Sequence, residues 1–232
     1  MTLMSFEAVI YDMDGVLTDS EPLWKIAMEE VFKSVGCPLT KEDFQQTAGM
    51  RIDEVIAYWY YESPWPDRTP KEVENAIIQR MTELLTERAT PLPGVIESLK
   101  FFTEKGLKIG LATSSYQVLI NCILDTLRIR RFFQAIHSAE YELFGKPHPA
   151  VYLTTAKNLG VDPQKCLVIE DSPNGIISGK AARMTVICVP EKTHHPDPKL
   201  ILADAQFEDL NQLVEFFRDG LCNPPKISSI SR

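Results

Sequence analysis

The sequence predicts an α/β fold: a doubly wound parallel sheet with a block of helices inserted after its first strand. Three observations predict it. Short apolar runs bounded by turn residues recur along the chain and read as buried strands. From Pro91 onward these runs alternate with amphipathic helical stretches, the pattern of parallel strands joined by right-handed crossovers. Between the first run and that alternation, residues 20–88 carry helical periodicity and no convincing strand.

The opening strand is Val9-Ile10-Tyr11, which runs into Asp12-Met13-Asp14-Gly15-Val16. Ser20-Glu21-Pro22 then reads as a helix start, with Ser20 as the N-cap and Pro in the first turn. Leu23, Ile26, Ala27, Val31 and Val35 fall on one face of that helix, and Gly36 ends it. A second helix start lies near Thr40. A third helix follows Gly49 and holds Ile52, Val55, Ile56 and Trp59. Thr69-Pro70-Lys71-Glu72 is a capping box, and its helix carries Val73, Ile77, Met81 and Leu84. Trp59, Tyr60, Tyr61 and Trp65 are expected mostly in the core of this block.

After Pro91-Leu92-Pro93-Gly94 the expected strands are 108–113, 135–138, 166–170 and 185–189. The expected helices are 95–105, 116–127, 149–159, 175–182 and 209–217. The chain thus divides into an α/β core of residues 1–19 and 89–219, a helical insertion of residues 20–88, and a tail, 220–232, expected to be disordered.

Composition narrows the function. The 232 residues are 44% hydrophobic and 24% charged, an ordinary globular balance with room for a sizeable core. A net charge of -8 argues against nucleic acid or an anionic membrane as partner. No apolar run is long enough to span a bilayer, and the first apolar segment includes Glu7 with no basic leader before it. A cytoplasmic protein is expected. The five cysteines, Cys37, Cys122, Cys166, Cys188 and Cys222, form no Cys-x-x-Cys pair and read as small buried hydrophobes. His194-His195, in a Pro-rich stretch, reads as solvated surface.

Four polar clusters end strands. Asp12 and Asp14 sit one residue apart where a strand gives way to a turn. There one carboxylate can attack, the other can carry a proton, and both can hold a hard cation. Thr113-Ser114-Ser115 fits a phosphate cradle or a helix N-cap equally well. Lys146, between Gly145 and Pro147, can pair with a phosphate, although in isolation a solvated loop lysine is the better reading. Glu170-Asp171 ends an apolar strand, which is costly unless the acids face water or a cation such as Mg²⁺. Parallel strands put their carboxyl ends on one edge, so all four clusters can converge. Together they make a complete site for a phosphoryl group with Mg²⁺.

Asp12-Met13-Asp14-Gly15-Val16, Thr113, Lys146 and Glu170-Asp171 resemble, in order and spacing, the four motifs of the haloacid dehalogenase superfamily. The likeness runs from about Phe6 to Phe217. The helical insertion is similar to the cap of the sugar-phosphatase and β-phosphoglucomutase branch. Asp19-Ser20-Glu21-Pro22-Leu23-Trp24, Gly49-Met50-Arg51-Ile52-Asp53 and Lys146-Pro147-His148-Pro149-Ala150-Val151-Tyr152 look closest to bacterial hexitol and 2-deoxyglucose-6-phosphate phosphatases.

The resemblance implies a Rossmann-like core and assigns roles. Asp12 would form an aspartyl-phosphate, and Asp14 would protonate the leaving alkoxide and then activate water. Thr113 and the N–H of Ser114 would bind phosphoryl oxygens, and Lys146 would neutralise charge there. Asp12, the carbonyl of Asp14, and Asp171 would hold Mg²⁺, with Glu170 an outer-shell group or a ligand. Gly49, Met50 and Arg51 would face the substrate, Arg51 touching either sugar or distal phosphate or else making a structural ion pair.

The implied partner is a small phosphorylated sugar bound by a monomer. Trp24 stands where the mutases of this branch carry a His, which favours hydrolysis over phosphoryl return. Arg183 stands where many relatives have Gly, with no chemistry attached. Two other readings compete. A signalling receiver also phosphorylates an Asp, but it has neither Asp14 nor an inserted helical block. An inactive scaffold would have lost a motif residue, and none is lost.

Overall fold

The computed structural model describes residues 2–40, 43, 46, 47, 50–190 and 197–220. Gly49, His194-His195, Cys222 and the tail from residue 221 lie outside the described residues. The strands are β1 (Ala8–Tyr11), β2 (Lys108–Thr113), β3 (Ala135–Ser138), β4 (Cys166–Glu170), β5 (Thr185–Cys188) and β6 (Ala205–Gln206). They form one parallel sheet in the order β3-β2-β1-β4-β5-β6. This is the doubly wound sheet predicted. Strand β6, two residues long, is the one that apolar patterning does not reveal.

Strand β1 sits between β2 and β4, with Ala8 level with both Lys108 and Cys166. Its four residues are buried because both faces are covered. Val9 and Tyr11 point into one apolar layer with Ile109, Leu111, Leu167 and Ile169, whereas Ala8 and Ile10 point into the other with Val168 and Val186. Helices α4 (Val95–Glu104), α5 (Gln117–Thr126) and α8 (Leu210–Arg218) cover the first layer. Helices α6 (Ala150–Leu159) and α7 (Pro173–Ala181) cover the second.

The insertion contains α1 (Glu21–Ser34), α2 (Ile52–Glu62) and α3 (Pro70–Arg88), making eight α-helices among the described residues. Thr69 and Glu72 make the reciprocal capping box expected at the start of α3: the Thr69 N–H donates to Glu72 (2.7 Å) and the Glu72 N–H to the Thr69 hydroxyl (3.3 Å). At Thr40 the start signal is present, its N–H donating to Asp43 (2.7 Å), but most of the following segment lies outside the described residues. Trp59 and Trp65 are buried and Tyr60 partly so, whereas Tyr61 is exposed, so the aromatic group is core on three of its four members. The two connections to the sheet run side by side. Thr18 bridges to Pro91, its hydroxyl donates to the Thr90 carbonyl (2.8 Å), and the Leu92 N–H donates to the Leu17 carbonyl (3.0 Å).

Candidate active site

Strand β1 ends at Tyr11, and Asp12 is the first residue beyond it, its N–H still donating to the Ile169 carbonyl of β4 (2.9 Å). The chain then turns at Gly15, whose φ of +73° is the left-handed region that favours glycine. A Cβ there would also lie 1.9 Å from Oδ2 of Asp171. The turn therefore serves two ends: it brings Asp14 back toward the strand ends and leaves room for the Asp171 carboxylate.

Asp14 is held from two sides. Its Oδ1 accepts from Ser20 Oγ (2.5 Å) and, at 3.4 Å, from Trp24 Nε1. Its Oδ2 accepts from Ser115 Oγ (2.7 Å) and, at 3.4 Å, from Thr113 Oγ1. Ser20 was expected as a helix N-cap. It occupies that position with φ -98° and ψ -12°, makes no capping bond, and turns its hydroxyl to Asp14 instead. The Thr113-Ser114-Ser115 cluster is no cap either, since Tyr116 holds the N-cap position of α5. Thr113 Oγ1 accepts from the Ser115 N–H (3.1 Å), and Ser138 Oγ donates to the Ser115 carbonyl (2.6 Å). Ser114 Oγ is buried and has no hydrogen-bond partner among the described residues.

Lys146 enters from the loop after β3. Its Nζ donates to Asp12 Oδ1 (2.8 Å), Glu170 Oε1 (2.7 Å) and the Ala112 carbonyl (3.2 Å), and lies 4.9 Å above the ring of Tyr152. The solvated-lysine reading is thus replaced by a buried one, 6% exposed. Although burial opposes its charge, the Asp12 and Glu170 carboxylates hold the ammonium well above the usual lysine range.

Glu170 is fully buried and receives five donors. Oε1 accepts from Lys146 and from the Tyr152 hydroxyl (2.6 Å), while Oε2 accepts from the N–H groups of Asp171 and Ser172 and from Ser172 Oγ. Burial pushes its carboxyl up, but Lys146 and these hydrogen bonds outweigh burial and hold it below the usual range.

Asp171 has the opposite balance. Burial first, then repulsion from Glu170 and Asp12, push its carboxyl well above the usual range. Burial, with Glu170 and Asp14 adding to it, also pushes Asp12 up to about 7 against the pull of Lys146.

Asp12, Glu170 and Asp171 each offer an oxygen within 4.8 Å of the others. With all three ionised, three carboxylates facing one ammonium leave two uncompensated negative charges, the charge of one divalent cation. The donor set is all oxygen, which suits a hard ion. Asp12 and Asp171 fit the ligand role, whereas Glu170, with its lone pairs already engaged, fits as the anchor of Lys146.

The sheet edge therefore brings Asp12, Asp14, Thr113, Ser114, Lys146 and Asp171 to one place. Arg51 is placed differently. Its guanidinium, on a side chain 10% exposed, donates from Nη1 to the carbonyls of Ala139 and Glu142 (2.9 Å each) and from Nη2 to Asp53 (2.9 Å). Of the possibilities read from sequence, the structural contact is the one seen.

Sequence reasoning missed three partners. Ser20 was assigned to a cap. Ser115 lay in the hydroxyl cluster without a separate role. Tyr152 stood in the Lys146 motif with no function, although a tyrosine three residues after Pro149 on a buried helical face needs a partner for its hydroxyl.

Residues 9–189 match the family of haloacid dehalogenase-like hydrolases. Hexitol phosphatase B of Escherichia coli K12 is 42% identical over 208 residues, 89% of this chain and 94% of that protein. A phosphorylated carbohydrates phosphatase of Thermotoga maritima is 35% identical over 179 residues, 76% of this chain and 81% of its own length. A β-phosphoglucomutase from Clostridium difficile superposes with a TM-score of 0.81 at 27% identity, covering 93% of this chain and 96% of that one. A hydrolase built on a Rossmann-like core with helices inserted after the first strand is the class that fold and site define. The chain belongs to the haloacid dehalogenase-like hydrolases, and its named relatives place it with the phosphatases of that family.

Proposed function

We propose that this chain is a Mg²⁺-dependent phosphatase that hydrolyses small hexose or hexitol phosphates through an aspartyl-phosphate. The observation that carries the reading is the convergence of Asp12 and Asp14 with Lys146, Thr113 and Asp171 at the carboxyl edge of the sheet. The hexitol and carbohydrate phosphatase relatives support the substrate class. A monomer working in the cytoplasm fits an acidic chain whose described cysteines are all free.

Asp12 attacks phosphorus with the oxygen that Lys146 does not hold, and the sugar leaves. Asp14 gives the leaving oxygen its proton, then takes one from the water that attacks the aspartyl-phosphate. Ser20 and Ser115 fix the carboxyl of Asp14 through both steps. The buried hydroxyl of Ser114 has no partner among the described residues and can donate to a phosphoryl oxygen. Asp12 and Asp171 would hold Mg²⁺, which supplies positive charge against the transferring group. Trp24 has only an N–H to offer Asp14 and cannot relay a proton as a cap His can.

The test is phosphate release from a panel of hexose and hexitol phosphates, with and without EDTA, in wild type and Asp12→Asn. Sustained release that stops on chelation, and no release by the variant, is expected. One labelling event without turnover, or full activity after metal stripping, would refute it. With β-glucose 1-phosphate and a catalytic amount of glucose 1,6-bisphosphate, inorganic phosphate should outpace glucose 6-phosphate. The reverse ratio means a mutase.

A further inference from the structure

The cap meets the core at places other than its two connecting strands, and one of these has the geometry of a catch. Arg51 stands at the start of α2, with its N–H bound to Glu54 Oε2 (3.1 Å). Its guanidinium reaches across to the core and grips two carbonyl oxygens, those of Ala139 and Glu142, in the segment between β3 and Lys146. Asp53 and Glu54 aim the fork from its own helix, at 2.9 Å and 3.7 Å.

The stem of Arg51 lies against Gly145. A Cβ on Gly145 would come within 2.9 Å of Arg51 Cγ, closer than Cβ atoms approach without a shift, and within 3.1 Å of Cδ, tighter than most such contacts, so the arginine stem must move. Gly145 immediately precedes Lys146, so the surface that receives the arginine is the one that leads into the buried lysine on Asp12. The grasped loop is braced beneath as well: Glu142 accepts from Thr154 (2.6 Å) and is paired with His137 (2.7 Å).

We propose that Arg51 is a closure latch: its grip on the 139–145 loop holds the cap shut over the site and sets the position of Lys146. Arg51 is then a positioning residue that does not touch the substrate. The inference rests on the phosphatase reading only for its kinetic consequence. The latch itself is a property of the free protein. Two backbone acceptors and a carboxylate arranged around one planar fork suit guanidinium and not ammonium, so lysine should replace arginine poorly.

The experiment is hydrogen exchange on the substrate-free protein for wild type, Arg51→Ala, Arg51→Lys and Gly145→Ala. Gly145→Ala keeps the guanidinium and wedges a methyl into its seat. Faster exchange of residues 139–146 and of the first turn of α2 is expected in all three, with α4 and α8 unchanged. In the kinetics, kcat/KM for the sugar phosphate should fall about tenfold in Arg51→Ala, the scale of one lost charge-assisted hydrogen bond. Arg51→Lys should recover little of it. The Arg51→Ala, Gly145→Ala pair should lose no more than the worse single variant, because both break one contact.

Wild-type exchange at residues 139–146 in both Arg51→Ala and Gly145→Ala would overturn the latch, whatever the activity. A KM rise confined to substrates bearing a second anionic group, with exchange unaltered, would make Arg51 a substrate contact instead. If Arg51→Ala does not fold, Arg51→Lys and Gly145→Ala decide the matter. If exchange responds as expected but no sugar phosphate is hydrolysed by the wild type, the latch stands and the assigned activity falls.

Discussion

Among single residues, Lys146 and Glu170 show how a buried charge is made tolerable. An unpaired ammonium in this interior would cost several kcal/mol. Lys146 has two carboxylates and a carbonyl, and Glu170 has five donors. Tyr152 serves both, with its ring under the ammonium and its hydroxyl on the carboxylate. Tyr152→Phe keeps the ring and removes one donor from Glu170. The expected cost is about 1–2 kcal/mol of stability, with a severalfold fall in kcat and little change in KM. Thermal unfolding and steady-state kinetics on the variant would check it, and an unchanged kcat would confine Tyr152 to packing. Asp12, Asp14 and the Glu170-Asp171 pair were legible in the sequence because they follow apolar strands, whereas Lys146, eight residues beyond the end of β3, was legible only through the motif that carries the family resemblance. Ser20, Ser115 and Tyr152 were not, because each has an ordinary local role that sequence alone favours: a cap, a turn hydroxyl, a core aromatic. Only the meeting of distant segments gives them another.

Elements were legible to the extent that their pattern is local. Strands β1 to β5 and the helices between them follow from apolar runs and caps, and their ends shift by a residue or two, as cap geometry allows. Strand β6 has two residues and no pattern of its own; it exists because β5 offers an edge to Ala205 and Gln206. The joint between α7 and β5 carries another feature with no signal in periodicity. Arg183 sits at φ +62°, where a side chain clashes with its own backbone. That conformation suits glycine, which has no Cβ to clash, better than arginine. Arg183→Gly should therefore stabilise the protein by about 0.5–1 kcal/mol, seen as a rise in the denaturation midpoint with kcat unaltered. A lower midpoint would mean that the exposed arginine contributes more than its backbone strain costs.

The whole molecule joins a rigid sheet edge to a helical block through two adjacent connections, with the acids gathered beneath. Its response to pH follows from the acids. Burial raises Asp12 to about 7 and raises Asp171 as well, so the folded protein binds protons that the unfolded chain has released. The stability these groups contribute is fully present below the ordinary carboxylate range, and it is lost as pH climbs through 7. A divalent ion bound to the folded state offsets that loss. The rise in melting temperature on adding Mg²⁺ should be larger at pH 8 than at pH 5. An equal rise at both would show that the ion binds elsewhere.

The central place of β1 has one more consequence, in how the chain is made. Strand β1 leaves the ribosome before every other strand of the sheet, yet its two neighbours are β2 and β4, and β4 begins only at Cys166. Until then one full edge of an all-apolar strand stands open, a template for pairing with the wrong chain. Nascent chains halted before residue 166 should be the aggregation-prone species of this protein. The helical insertion, rich in local contacts, has time to fold while β1 waits.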